Sequence, residues 1–345
     1  MNASNVMGGA FKAVVPEGAF VYPIKCLKPT RWFSFLLLPE FTLLAFSSAV
    51  DPLRIANQLA QKPLYGWHIV SENGQAVRSS SGIDVAVQGE LAEIPASHRL
   101  FVCSGNNGNR VATSRVLSGI RRHVRFGGPV GGICTGAATL ARAGLLAGRR
   151  FTLHWENQPG FIEAFPDLKP SRSRVEVDAG LLTCCGGSAS TEMMLQIIKE
   201  DYGADFAIAV SDMCLNSQAP SLDREQRSSI GRVVDSRNPK ILRVLREMHA
   251  NVEDPLPLEE LSKTAGLSRR QMERLFLNIL GEGPATAYRN IRLDQAHSLF
   301  VETDMSVAEV AVATGFGSAA HLARLFKRRF GVTPYGKRGP VSRQP

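Results

Sequence analysis

The sequence predicts two domains of different class: an α/β domain built on a parallel sheet, followed by an all-α domain with two helix-turn-helix units. Three observations predict it. Up to about residue 215, short apolar runs alternate with longer amphipathic ones, as they do where strands and helices are taken in turn. From Pro239 onward, apolar residues recur at spacings of three and four, without a strand pattern. The same C-terminal region aligns with itself when shifted by 50 positions. A length of 345 residues agrees with two to three domains.

Residues 1–30 read as a loose leader. Trp32–Leu38 then reads as a buried strand and Phe41–Ala60 as a helix. Trp67–Ser71 and Leu100–Cys103 are further strands, with a helix over about Val111–Phe126. Pro129–Ile133 is a strand and Gly136–Ala143 a helix; Arg174–Val177 and Leu181–Thr183 precede the long helix Ser190–Tyr202. A last helix, Asp205–Leu215, closes a domain over 31–215. Residues 216–238, rich in Ser, Gln, Asp and Arg and holding Pro220, form a linker with room for a short helix. The all-helical domain spans 239–345. Its apolar stripes are Ile241, Leu242, Leu245 and Met248; Leu258, Leu261 and Ala265; then Met272, Leu275, Phe276 and Ile279.

Composition narrows the class. The six cysteines make no CxxC pair and have no histidines at zinc spacing, which argues against a structural metal. Cysteines in apolar strand-like runs suit reduced thiols, and no signal peptide or membrane-length apolar run is read. A cytoplasmic protein without cofactor or membrane association is expected. The net charge of +9 is uneven: residues 226–345 hold 19 Lys and Arg against 12 Asp and Glu. After Glu309 there is no acid, only seven bases. A basic end on a near-neutral body suits a polyanion such as nucleic acid.

The repeat gives that charge a geometry. Ser268 meets Ser318, Arg274-Leu275-Phe276 meets Arg324-Leu325-Phe326, and Gly281 and Pro284 meet Gly331 and Pro334. Leu258–Ala265 with Gly266, and Val307–Ala313 with Gly315, supply a first helix and a turn, so the two units span about 258–280 and 306–330. Ser306 with Glu309 forms a capping box, and Ser268 and Ser318 are natural N-caps for the second helices. A helix of about 12 residues can lie in the major groove and read base edges near its N-terminus. Candidates in the first copy are Ser268, Arg269, Arg270, Gln271 and Arg274. In the second they are Ser318, Ala319, Ala320, His321 and Arg324, with Lys327, Arg328 and Arg329 for phosphates.

Ser306 to Arg338, SVAEVAVATGFGSAAHLARLFKRRFGVTPYGKR, resembles the signature of the AraC/XylS family of transcription regulators. The resemblance covers about Pro239–Arg338 and departs where Gly336-Lys337 stand near a usual Tyr. It implies two reading helices on a rigid linker helix, here about Pro284–Phe300, entering successive major grooves of double-stranded promoter DNA. It also implies RNA polymerase as a partner and activation more often than repression.

Val130–Ala138, VGGICTGAA, is a G-x-C-x-G nucleophile elbow that exposes Cys134 at the end of a strand before a helix N-terminus. That setting lowers a thiol pKa and supplies amide donors. Cys134 is then either a catalytic thiolate or a small residue in a crowded turn. Phe41–Asn57, Gly132–Trp155 and Gly186–Glu192 resemble a class I glutamine amidotransferase-like domain of the ThiJ/PfpI type, in the version fused to AraC-type domains. The resemblance implies a flavodoxin-like sandwich that senses a ligand and forms a homodimer. The resemblance also implies that enzymes of that superfamily usually place a His directly after the Cys, or supply one from elsewhere in a Cys-His-acid arrangement, and in the ThiJ/PfpI type add a Glu in the first helix. Here Thr135 and Ala45 stand there, and His154 is left as the plausible base.

Catalysis is therefore not expected, although a thiol-dependent hydrolase or amidotransferase remains the alternative. A degenerate elbow still leaves a recess at the C-terminal ends of the strands. Its candidate lining is Phe46, Trp67, Cys103, Ser104, Gly105, Asn106, Cys134, Thr135, His154 and Trp155, with Trp67 and Trp155 as a cation–π wall. By resemblance the effector is a small amine or amino-acid derivative, such as glycine betaine, carnitine or arginine.

Overall fold

The computed structural model describes residues 12–24, 28–108, 110–215, 226 and 238–334. The chain divides into two compact units: Met1–Gln158 with Phe165–Gln226, and Pro159–Ala164 with Arg227–Pro345. The expected linker helix, the basic residues beyond 334 and the Gly336-Lys337 departure lie outside the described residues.

The first unit is built on a seven-stranded sheet. Its strands are β1 (Arg31–Leu37), β2 (Tyr65–Ser71), β5 (Gly89–Glu90), β6 (Arg99–Cys103), β7 (Val130–Ile133), β8 (Val175–Asp178) and β9 (Leu181–Cys184), in the order β5-β2-β1-β6-β7-β9-β8. A small pair, β3 (Val77–Arg78) and β4 (Asp84–Val85), stands apart. All sheet neighbours are parallel except β8 and β9. That edge departs from the all-parallel expectation because Ala179 and Gly180 both take positive φ, 42° and 88°. Such a two-residue turn returns the chain as a hairpin. The central strands are buried along nearly their whole length, as parallel strands covered on both faces must be.

Its helices are α1 (Leu43–Ala60), α2 (Ser114–Arg125), α3 (Gly136–Arg142), α5 (Ala189–Tyr202) and α6 (Ala204–Met213); α4 (Gln158–Ala164) lies between them in sequence, with Pro159–Ala164 counted in the second unit. Pro52 lies inside α1 and cannot donate to the Ser48 carbonyl four residues back. The hydroxyl of Thr191 on α5 donates to that oxygen instead, at 3.0 Å. One proline is thereby turned into a tie between two packed helices. Asn57, fully buried, donates to Tyr65 O and accepts from Tyr65 N, which fixes the end of α1 on the start of β2.

The leader is not loose throughout. Residues 12–24 are extended against α1: Asn57 Nδ2 donates to Val14 O at 2.9 Å, Gln61 Nε2 to Pro16 O at 3.0 Å, and Tyr22 N to Leu59 O at 2.7 Å. The Tyr22 ring lies 5.2 Å from Phe206. Weak periodicity concealed this docking because the partners come from the helix, not from the leader's own pattern.

The second unit is helical: α7 (Pro239–Ala250), α8 (Leu258–Thr264), α9 (Arg269–Leu280), α10 (Pro284–Glu302), α11 (Val307–Ala313) and α12 (Ala319–Phe330). It has two small cores. One gathers Val244, Met248, Leu261, Met272, Phe276 and Tyr288; the other Leu293, Leu299, Phe300, Val310, Leu322 and Phe326. The helix α10 gives its first half to one core and its second half to the other, so it joins the two copies without a break.

Candidate functional site

The elbow forms as its glycines allow. Cys134 sits in the left-handed region at φ 60°, directly after β7, and its N–H donates to Cys184 O at 3.0 Å. Its Sγ lies 3.6 Å from Thr42 Oγ1. Gly186 crosses over it, and a Cβ there would stand 2.7 Å from the Cys134 Cβ. The thiol is 5 % exposed, and burial pushes its pKa up to about 11, against a smaller opposing pull from the Thr42 hydrogen bond. The lowered pKa expected from the elbow is therefore overturned. Desolvation outweighs the amides of α3, which has only seven residues.

Around Cys134 the structure brings together Cys103, Ser104, Gly105 and Thr135 of the expected lining. Leu37, Cys103, Ile133 and Cys184 lie in one row across the sheet. Ser104 follows, buried, and its Oγ has no hydrogen-bond partner among the described residues. Thr135 Oγ1 donates to Gly105 O at 2.6 Å, while Asn106 is exposed. His154 and Trp155 are partly exposed, with ring centroids 5.4 Å apart, and His154 Nδ1 lies 3.9 Å from Glu156 Oε2.

Two expected members stand elsewhere. Trp67 pairs with Phe33, which pairs with Arg99. Its row lies four residues, roughly 13 Å, along the strands from that of Cys103, so Trp67 stands away from the elbow. Phe46 packs edge-on against Phe35 and Phe41, 5.8 Å from each, and is spent on the core. Thr42, whose hydroxyl stands beside the Cys134 thiol, was not singled out, and nothing in its local pattern marks it. The same holds for the ion pair of Arg174 with buried Glu192 at 2.9 Å.

In the helical unit both reading helices begin as expected. Ser268 Oγ accepts from Gln271 N and Ser318 Oγ from His321 N. The first copy also closes a capping box, since Gln271 Oε1 accepts from Ser268 N at 2.9 Å. Gln271 therefore has its carbonyl oxygen engaged and cannot offer the full amide to adenine. Arg269 is held by Glu259 and Glu273. Arg270 and Arg274 are exposed and make no side-chain hydrogen bond or ion pair among the described residues; the same is true of Arg324, Lys327 and Arg328. Ala320 and His321 are exposed beside them and Ala319 is half-buried. Arg329, expected on a phosphate, binds Asp294 of α10 through both of its oxygens.

The turn of the second copy has its own brace. Arg292 donates to the carbonyls of Thr314 and Gly315 and lies 4.3 Å from the Phe316 ring. Fold and site together define a class: a two-headed helix-turn-helix protein with an amidotransferase-like unit ahead of it.

Comparison with known proteins narrows the class. A helix-turn-helix domain model matches residues 261–338, and the DJ-1/PfpI family model matches residues 38–200. The HTH-type transcriptional regulator GlxA of Rhizobium meliloti (strain 1021) is 41% identical over 301 residues, 87% of this chain and 93% of the relative. The HTH-type transcriptional regulator CdhR of Pseudomonas aeruginosa is 38% identical over 88% of this chain and 90% of its own. A solved THiJ/PfpI family protein from Pseudomonas syringae shares the fold with TM-score 0.50 at 18% identity, over 70% of this chain and 91% of that one. The chain belongs to the AraC-type helix-turn-helix transcriptional regulators that carry an N-terminal DJ-1/PfpI domain. It is a DNA-binding transcriptional regulator. No helix among the described residues is long and apolar enough to cross a membrane.

Proposed function

We propose that the chain is a cytoplasmic, homodimeric activator that recruits RNA polymerase to promoter DNA when residues 31–215 bind a small effector. Residues 239–345 bind the DNA and 216–238 connect the two. The observation that carries the DNA part is the pair of Ser-capped helices, each with exposed bases that have no protein partner among the described residues. Arg270 and Arg274 in the first copy, and Ala320, His321 and Arg324 in the second, are the base readers. Lys327 and Arg328 meet phosphates, as neither makes a side-chain hydrogen bond or ion pair among the described residues. Arg269 and Gln271 hold the geometry of the first helix.

The effector is an amine or amino-acid derivative, of which glycine betaine, carnitine and arginine are candidates. It lies against Ser104, Gly105, Cys134 and Thr135, with Asn106, His154 and Trp155 at its edge. The unsatisfied Ser104 hydroxyl supports a polar ligand there. A thiol held at about 11 supports sensing without catalysis.

Footprinting on DNA upstream of the chain's own gene and its neighbours tests the reading. We expect protection of two adjacent major grooves, and Arg274→Ala to weaken specific binding by about 1–3 kcal/mol. Arg269→Ala leaves base preference unchanged. No sequence-specific protection, or an Arg269 effect as large as that of Arg274, rejects the assignment.

A further inference from the structure

The sheet unit holds a second cleft, apart from the elbow. It has a volume of about 410 Å³ and runs between the outer face of α2 and the segment 91–96. Arg115, Ser118, Gly119, Arg122 and Phe126 line it from α2. Their spacing of three, four, seven and eleven puts them on one helical face. The opposite face, with Val116, Leu117 and Ile120, is buried, and the buried His123 borders the cleft beside Arg122. Leu91 and Ile94 supply the apolar wall, and Phe126 stands 68 % exposed at the end. Leu91 comes so close to Gly119 that a Cβ there would lie 2.6 Å from its Cδ2. The segment is thus seated on the helix at glycine distance, and the cleft opens beside that contact.

Charge in the cleft is sorted by position. Arg115 is neutralised by Glu90 at 2.9 Å. His123 adds no charge at neutral pH, because burial lowers its pKa. Two groups stay uncompensated. Glu72 accepts from the hydroxyl of Thr113, the N-cap of α2, at 2.7 Å, and its second oxygen takes no hydrogen bond among the described residues. Arg122 makes no side-chain hydrogen bond or ion pair among the described residues. One free acid therefore marks the start of α2 and one free base its last turn, with an apolar wall between them.

We infer that this cleft binds an extended zwitterion, a molecule with an ammonium and a carboxylate separated by several methylene groups. The inference rests on reading this unit as a ligand sensor and adds a second input to it. Arg122 takes the carboxylate in a two-pronged hydrogen bond. Glu72 takes the ammonium, and the chain lies along Leu91 and Ile94. The nine steps from Thr113 to Arg122 rise roughly 13 Å at 1.5 Å per residue, and the arginine leans back toward the helix N-terminus. An α-amino acid, with both charges on one carbon, cannot reach both anchors.

Titration calorimetry on the full chain with 6-aminohexanoate, hexanoate, hexylamine and glycine tests this. 6-Aminohexanoate is expected to bind saturably, with the other three at least tenfold weaker. R122Q and E72Q each lower its affinity at least tenfold while keeping the wild-type melting temperature. Hydrogen exchange provides an independent readout, with 6-aminohexanoate protecting residues 91–96 and 115–126. No saturable binding, equal binding of hexanoate, or unchanged affinity in either variant overturns the inference. Protection at 103–108 and 132–136 instead puts the ligand at the elbow. That outcome also overturns the second site, while leaving the proposed DNA regulator standing.

Discussion

A thiol with its pKa at about 11 is protonated at neutral pH, and Cys134 is held there by burial under Gly186. Against the ordinary thiol value of 9.0, this leaves about a hundredfold less thiolate. Since the thiolate is the nucleophile, Cys134 in the folded chain should react with iodoacetamide at pH 7.5 about a hundredfold more slowly than an unperturbed cysteine. Mass mapping of the alkylated peptide measures this rate. A Cys134 that reacts as fast as free cysteine would restore the thiol-dependent hydrolase. The elbow motif was legible from its Gly-Gly-Ile-Cys-Thr-Gly spelling. The sign of the pKa shift was not, because it depends on how deeply neighbouring loops bury the sulfur.

The two helix-turn-helix copies share caps, core positions and charge, yet differ in how their turns are held. Gly266 has φ 63° and open space around it, whereas Gly315 has φ 67° and a Cβ there would meet Glu253 O at 2.5 Å. G266A therefore costs roughly 1–2 kcal/mol from the left-handed backbone alone. G315A adds a backbone clash and should lower stability by more, as read in the denaturant midpoint of the helical unit. Equal losses would show that the second turn is free to shift. The repeat was readable from a 50-residue offset, but the second turn carries one more residue, Gly317, and leans on Pro255 and Arg292. Sequence identity between the copies could not reveal a buttress that only one of them has.

On the scale of the whole molecule, the two units carry different electrostatic loads. The helical end holds most of the excess positive charge, so its binding to DNA should weaken steeply with salt. The sheet unit buries three histidines near one another. Burial pushes His98 down to about 4, helped by the nearby His68 and His123, and burial lowers those two as well. A histidine whose folded pKa is depressed binds its proton more readily when unfolded. The sheet unit should then be fully stable above about 6.5 and lose stability as pH falls from there toward about 4. Each 1 kcal/mol lost lowers Tm by about 2–4 °C for a unit of this size. Calorimetry from pH 7.5 to 4.5 checks this; a Tm that stays level across that interval contradicts the buried, neutral histidines.

What the sequence by itself determined is whatever repeats or spells itself locally. This covers the alternation of strands and helices, the elbow, the Ser-capped reading helices and the family they define. Those signals survive because periodicity, caps and turn glycines act within a few residues. Tertiary structure alone decided which side chains remain free to act. It placed Trp67 about four residues along the sheet from the elbow and spent Phe46 on the core. It tied Arg269 and Arg329 to acids, turned β8 antiparallel through Ala179-Gly180, and left Glu72 at the start of α2 and Arg122 in its last turn without an ion pair among the described residues. Each outcome depends on partners far away in the chain, and no local pattern encodes how a distant carboxylate, ring or carbonyl will be placed.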